Sequence, residues 1–189
     1  MLTYGYFYQL VIVAIFAVII IRMITLKKDK MKIFAACIFM VYTVEAVGIF
    51  IFPIYFDPRF KNYGPADINL IPFHSIMECV QHVSVGTAMT QILGNVAAFL
   101  PLGLLLPILF EKLRSWKNIL LCSLFISVGI ELIQLAEQLI THIPGHATDI
   151  DDVILNFTGG VLGYLLFLAV QAVWKWRFKT RVPNGEKQS

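Results

Sequence analysis

The sequence predicts an all-α protein, a polytopic bundle of about five transmembrane helices. Of its 189 residues, 58% are hydrophobic, and the mean hydropathy is +0.77, which is more apolar than an ordinary soluble domain. A bilayer core of about 30 Å requires about 20 mainly apolar residues, because a helix rises about 1.5 Å per residue. Five stretches of the chain meet this requirement, and polar or Pro- and Gly-containing segments separate them.

The five predicted spans occupy residues 5–26, 33–55, 91–110, 118–140 and 150–174. Arg22 and a lysine cluster close the first span, where a secretory signal would carry a small-residue cleavage site, so we interpret it as a retained helix. Residues 75–89 remain open between an interfacial helix, a re-entrant element and an ordered loop.

Basic residues predict the orientation, because Lys and Arg are kept on the cytoplasmic side of a membrane. They follow the first, third and fifth spans, as Lys27, Lys28, Lys30 and Lys32, then Lys112, Arg114 and Lys117, then Lys175, Arg177, Lys179, Arg181 and Lys187. The other two connections carry few basic residues. The connection after the second span has Arg59 and Lys61, and residues 141–149 contain no Lys or Arg. We therefore expect an N-terminus outside and a C-terminus in the cytoplasm. The positive charges are distributed as topology signals. We therefore expect the lipid bilayer as a partner and do not expect nucleic acid.

Ionisable and amide side chains inside the spans predict a polar site. These residues are Glu45, Asn95, Glu131, Gln134 and Asn156. Each costs several kcal/mol in a bilayer and normally faces a partner or a cavity. Glu131 and Gln134 lie on one face of the fourth helix, and Asp149, Asp152 and Asn156 are spaced similarly at the start of the fifth. A short loop makes these helices antiparallel neighbours, so the two sets should meet at the outer end. The alternative is that the amides only hydrogen-bond helices to one another.

Four segments carry a resemblance to a known family. They are residues 67–73 (DINLIPF), 94–103 (GNVAAFLPLG), 131–134 (ELIQ) and 145–156 (GHATDIDDVILN), the last followed by Gly159, Gly160 and Gly163. In this order and at these positions they resemble the VanZ-like family. The resemblance implies a bacterial plasma-membrane protein of the cell envelope, linked to resistance to the glycopeptide teicoplanin. It divides the chain into two N-terminal helices (1–64), a VanZ-like core (65–174) and a basic cytoplasmic tail (175–189).

The resemblance also implies site residues. Its motif positions fall on Asn69, Pro72, Phe73, Asn95, Pro101, Gly103, Glu131, Gln134, Asp149, Asp151, Asp152, Asn156 and Gly159. One position departs from the family pattern, because His146 stands after Gly145 where members commonly carry an arginine. A titratable imidazole replaces a permanent bidentate cation there, which weakens any role in gripping phosphate or carboxylate.

Three hypotheses for function follow. In the first, which we adopt, an extracytoplasmic pocket binds a cell-wall precursor, a lipid headgroup or an envelope partner such as an enzyme. Its binding residues would be Asn69, Asn95, Gln134, His146, Asp151 and Asn156. In the second, the protein is an enzyme acting on lipid-linked substrates, with Glu131 as acid or base and Asp149 and Asp152 binding a cation or orienting water. The third is a small transporter or lipid flippase.

No cofactor is established by the sequence. A divalent cation would suit the aspartates, because hard cations prefer oxygen ligands, whereas zinc would recruit His142 or His146. Pro144 and Gly145 lie between the two histidines and disfavour the helical turn that would bring them together.

Overall fold

A computed structural model describes residues 5–52, 54, 68–141 and 147–179. Within these residues the chain forms six α-helices, one 3-10 turn and one pair of short strands. In order they are α1 (Gly5–Thr25), α2 (Lys30–Phe50), β1 (Ile68–Asn69), α3 (His74–His82), α4 (Val85–Leu109), the 3-10 turn (Glu111–Arg114), α5 (Trp116–Thr141), β2 (Thr148–Asp149) and α6 (Ile150–Lys179).

Five of these helices, α1, α2, α4, α5 and α6, are long and apolar enough to cross a membrane. The prediction of an all-α bundle with about five spans is therefore confirmed. The orientation of the termini stays a prediction.

Helices α2 and α4 begin before their predicted spans, because a capping side chain extends each helix beyond its apolar part. Asp29 caps α2, and its carboxylate accepts a hydrogen bond from the backbone N–H of Met31 at 3.1 Å. Ser84 caps α4 in the same way, so α4 begins at Val85 and not at residue 91. At the other limit, α6 continues to Lys179, past the predicted end at residue 174.

Glycines bring α4 and α6 into backbone contact. A Cβ atom on Gly159 would collide with the carbonyl oxygen of Val96, and one on Gly163 with that of Leu100. Small residues spaced by four allow helices to approach this closely in membranes. The two helices therefore form a fixed pair, onto which α5 and α2 pack.

A buried apolar cluster fills the bundle between α2, α4, α5 and α6. It contains Phe50, Phe99, Leu102, Leu106, Ile119, Tyr164 and Phe167. The rings of Phe50 and Phe99 meet edge to face, with centroids 5.8 Å apart. Helix α1 packs against α2, and Tyr8 stacks on Phe52, just beyond the end of α2, with ring centroids 4.3 Å apart.

The two ends of the bundle differ in charge. At one end, which we call the basic end, the turn 26–29 and the 3-10 turn lie together: Lys32 Nζ is 2.9 Å from Glu111 Oε1. Tyr164 of α6 also reaches this end and donates a hydrogen bond to the Arg114 carbonyl oxygen at 2.7 Å. The basic connections after the first and third spans thus share one end, as the alternation of loops predicted.

The opposite end, which we call the polar end, contains α3 and the strand pair. β1 and β2 run parallel, with Ile68 opposite Thr148 and Asn69 opposite Asp149. Residues 75–89, left open by the sequence, contain most of α3 and the first turn of α4. The pairing of β1 with β2 fixes the chain before α3 to the chain before α6, and it is this junction that gathers the polar residues.

Candidate functional site

Six polar side chains from distant parts of the chain meet at this junction. We call them the polar cluster, and they are Asn69, Asn95, Glu131, Asp149, Asp151 and Asp152. At about 1.5 Å per residue, Asn95 lies about 15 Å along α4 from Val85, and Glu131 about 15 Å along α5 from Thr141. The cluster is therefore recessed below the ends of α4 and α5, at the level where α6 begins.

Asp149 organises the start of α6. Its Oδ1 atom accepts hydrogen bonds from Asn69 Nδ2 at 2.9 Å and from the backbone N–H of Asp151 at 2.8 Å. Its own backbone N–H donates to Glu131 Oε2 at 2.9 Å. Asp149 and Glu131 are both buried. These contacts hold the strand pair against α5, so one oxygen of the Glu131 carboxylate is already engaged by the protein.

Asp151 caps a helix other than its own. Its carboxylate, only 1% exposed, accepts hydrogen bonds from the backbone N–H groups of Phe73 and Ile76, the latter at 3.1 Å. These donors stand at the N-terminus of α3, where a negative charge is favourable. Phe73 has a left-handed backbone, with φ of 66°, which turns the chain into α3. Both Asp151 oxygens are therefore used within the protein, and its predicted role in ligand binding stays a prediction.

Asp152 faces a pocket. Asn95 Nδ2 donates a hydrogen bond to Asp152 Oδ1 at 2.5 Å. The pocket is a shallow, partly open depression lined by Ser75, Ile76, Cys79, Gln91, Ile92, Asp151, Asp152 and Leu155. Those described residues are acidic, polar or apolar, and none is basic. The described lining thus places a carboxylate beside amide, hydroxyl and thiol groups and apolar side chains.

The amides of α5 and α6 have different environments. Gln134 Nε2 donates to the carbonyl oxygen of Phe50 at 2.9 Å, which ties α5 to the end of α2. Gln138 Nε2 donates to Thr148 Oγ1 at 3.3 Å. These two bonds favour the interpretation that such amides join helices. Asn156 is fully buried, and neither of its amide atoms has a hydrogen-bond partner among the described residues.

Several predicted residues do not join the cluster. His146 and His142, together with Arg59 and Lys61, lie outside the described residues. Glu45 is exposed on α2, and the Glu131 carboxylate accepts a hydrogen bond from the backbone N–H of Asp149. In the described part of the chain, no group of three or more His, Cys, Asp or Glu side chains is arranged to hold a metal ion. A divalent cation at Asp149 and Asp152 therefore stays a prediction.

The sequence did not predict that α3 lines the pocket. Ser75 and Cys79 lie one turn apart on α3 and both line the pocket, and Cys79 Sγ donates to Gln91 Oε1 at 3.1 Å. The signal was present, because a spacing of four places two side chains on one helix face. The sequence left residues 75–89 open between an interfacial helix, a re-entrant element and an ordered loop, because Asp151, the group that caps α3, lies far away in the chain.

Comparison with known proteins identifies related sequences. The family model described as VanZ/LLP1 matches residues 13–171, which include the whole polar cluster. A curated relative, Protein VanZ of Enterococcus faecium, is 28% identical over 137 residues, covering 72% of this chain and 74% of the relative. No solved structure matches the chain.

Proposed function

The chain belongs to the VanZ/LLP1 family, and on that premise we propose that its polar end is extracytoplasmic, binds the headgroup of an envelope lipid or lipid-linked cell-wall precursor, and thereby changes the susceptibility of a bacterium to teicoplanin. Its place is the bacterial plasma membrane, with the basic end in the cytoplasm. The five long apolar helices support a membrane location. Other envelope proteins are alternative occupants of the same pocket.

One observation supports this proposal above the others: Asp152 lines the pocket, and among the described residues its carboxylate accepts a hydrogen bond from the Asn95 side chain and none from the backbone. Asp151 accepts backbone hydrogen bonds that join α6 to the start of α3, and Asp149 accepts the backbone N–H of Asp151 at the start of α6. Asn95 orients the Asp152 carboxylate through one oxygen. The other oxygen is then available to accept a hydrogen bond from a ligand.

The charge of the pocket favours one class of headgroup. Its described lining contains two aspartates and no basic residue, so a phosphate inside it would meet like charge without a cationic partner. A ligand group that donates hydrogen bonds, such as an amine or a hydroxyl, suits Asp152, Gln91 and Ser75. We therefore expect the pocket to hold an amine or sugar hydroxyl of the headgroup, with its phosphate outside.

A second candidate is an enzyme that acts on the same lipids. The observation that favours it is the buried Glu131 carboxylate, which is 5% exposed and uses one oxygen to accept the Asp149 N–H. In that case Glu131 would move a proton and Asp152 would orient water or a cation. A side chain in this position also suits a purely structural role, so direct measurement of turnover is required.

The cellular test compares two aspartate-to-asparagine variants. We expect the wild-type protein to raise the teicoplanin concentration that inhibits a susceptible Gram-positive host, and Asp152→Asn to lose most of that increase. Asp29→Asn is the matched control, because Asp29 lies at the basic end and asparagine can still cap α2. Immunoblotting of membranes checks that both variants reach wild-type abundance. A fully active Asp152→Asn protein would contradict the proposal.

The biochemical test separates binding from catalysis. Purified protein in lipid nanodiscs is incubated with lipid-linked precursor or with phospholipids, with and without divalent cations, and the mixture is analysed by mass spectrometry. Stoichiometric binding that Asp152→Asn weakens supports a binder. Turnover that Glu131→Gln and Asp152→Asn both remove supports an enzyme. Glu45→Gln is the control for Glu131→Gln, because it makes the same change at an exposed position on α2.

A further inference from the structure

A row of buried polar side chains continues from Glu131 toward the basic end. Ser127 and Ser123 follow Glu131 at spacings of four, so all three lie on one face of α5. Both serines are fully buried, and neither hydroxyl has a hydrogen-bond partner among the described residues. At about 1.5 Å per residue, the row extends about 12 Å from Glu131 to Ser123.

This face of α5 packs on α6. A Cβ atom on Gly160 would lie 2.5 Å from Ser123 Oγ, so Ser123 lies directly opposite Gly160. At the Glu131 end of the row, the backbone N–H of Asp149 donates a hydrogen bond to the Glu131 carboxylate. Because α5 and α6 are antiparallel, Asn156, one turn before Gly160, falls at the level of Ser127. Asn156 also faces the α4 side, since Gly159 meets Val96.

Among the described residues, several polar atoms near this row have no hydrogen-bond partner. Neither Asn156 Nδ2 nor Asn156 Oδ1 has a partner in the described part of the chain, and Gln134 Oε1, further along α5, has none either. An amide offers two donors and accepts two hydrogen bonds, so a buried Asn without partners is strongly unfavourable. Buried polar groups without a protein partner are normally satisfied by ordered water.

We propose that water molecules occupy the α5–α6 interface at Asn156 and Ser127 and form a hydrated track that begins beneath Glu131 and ends at Ser123. Water there bonds the Asn156 amide and the serine hydroxyls in place of missing protein partners. Glu131 then contacts water on the side away from the pocket. The proposal does not depend on which ligand the pocket binds, because the track lies below Asp152.

The competing arrangement needs no water. Each serine hydroxyl can rotate and donate to the carbonyl oxygen four residues earlier in its own helix. That rotation satisfies Ser123 and Ser127 but leaves both atoms of Asn156 without partners. The two arrangements differ in whether a small hydrophilic ion can reach the serine positions in the folded protein.

Silver-ion access to single cysteines tests this difference. Cys37, Cys79 and Cys122 are first replaced, and Ser127→Cys or Ser123→Cys supplies one thiol of nearly the same size as the serine it replaces. Folded protein in lipid vesicles is exposed to Ag⁺, then denatured and alkylated, and mass spectrometry measures the protected fraction. Phe125→Cys is the control, because Phe125 is 72% exposed on the apolar surface of the same helix. A thiol must ionise to bind metal, which requires water.

We expect Ser127→Cys to react several-fold faster than Phe125→Cys, and Ser123→Cys to react at an intermediate rate. Adding Asn156→Leu to Ser123→Cys should abolish its reaction, because the substitution removes the amide that binds water in the middle of the track. If Ser127→Cys fails to fold, the rate at which Ser123→Cys reacts with Ag⁺ decides between the two arrangements. Folded variants in which both serine positions are as inert as Phe125→Cys would overturn the proposal.

Discussion

The carboxylate of Asp151 determines where one wall of the pocket lies. Helix α3 has nine residues, which is too short to be stable by itself. Asp151 supplies a buried negative charge and two acceptors at its N-terminus. Ser75 and Cys79, which line the pocket, belong to this helix. A residue of α6 therefore positions side chains on α3.

We expect Asp151→Ala to lower the free energy of unfolding by about 2 kcal/mol, because it leaves the backbone N–H groups of Phe73 and Ile76 without their charged acceptor. Asp151→Asn should cost less, since the amide keeps one acceptor oxygen. Reversible unfolding in mixed detergent measures both changes. Hydrogen exchange should rise in residues 73–82 before it rises elsewhere. Unchanged exchange there would contradict the capping role.

At the basic end, the ion pair between Lys32 and Glu111 has a measurable signature. The hydrogen bond from Lys32, with its charge and that of Arg114, holds the pKa of Glu111 below its ordinary value. The carboxylate is exposed, so its effect on stability is small. Because the pKa is lower in the folded than in the unfolded state, that effect is present above the unfolded pKa and is lost as pH falls through the folded pKa.

Lys32→Gln should therefore raise the pKa of Glu111 toward its ordinary value, as followed by NMR titration of carboxyl-labelled glutamate. Lys28→Gln is the matched control. Lys28 contributes less to lowering this pKa than Lys32 does, so its removal should produce a smaller shift. Equal shifts in the two variants would show that the bulk charge of the turn, and not the direct bond, acts on Glu111.

The membership of the polar cluster was predictable from the sequence, but its pairings were not. Helical spacing and the polarity of the spans identified Asn95, Glu131 and Asp152. Asp151 and Asp152 are adjacent, yet one binds the backbone of α3 and the other faces the pocket. The partners of Asp151 are backbone N–H groups, which every residue except proline has, so no residue type marks them in the sequence.

At the scale of the elements, the contact of α4 with α6 gives the sharpest prediction. We expect Gly159→Ala to destabilise the protein by about 2 kcal/mol, because its new Cβ would meet the backbone of Val96, which cannot move aside as a side chain can. Unfolding in mixed detergent measures the change. Gly129→Ala is the control: nothing lies within 4 Å of its added Cβ, and alanine should stabilise α5 by up to about 1 kcal/mol. Equal effects would contradict the close contact.

Hydropathy predicted the number and approximate positions of the spans, but it did not predict where the helices begin and end. The apolar part of α4 begins near residue 91, whereas the helix begins at Val85, where Ser84 accepts a hydrogen bond from the Thr87 N–H. Lipid selects for apolar side chains, but a helix continues for as long as its backbone is hydrogen-bonded. The strands are two residues each, too short for any alternating pattern.

At the scale of the whole molecule, the bundle separates two kinds of polar group. The basic turns lie together at one end, and the polar cluster and its pocket lie at the other. The structure fixes this separation without fixing which end faces the cytoplasm. The functional proposal depends on that direction, because teicoplanin and the headgroups of wall precursors meet outside the cell.

Two serine-to-cysteine variants test the direction. Ser84 and Ser115 are both exposed and lie at the polar and basic ends, respectively. In a background without Cys37, Cys79 and Cys122, an impermeant maleimide added to intact cells should label Ser84→Cys and spare Ser115→Cys, because the lysines near Ser115 predict a cytoplasmic location for that end. Permeabilised cells should show both labelled. The reverse pattern would put the Asp152 pocket in the cytoplasm, out of reach of any extracellular antibiotic, and the proposed function would fail with it.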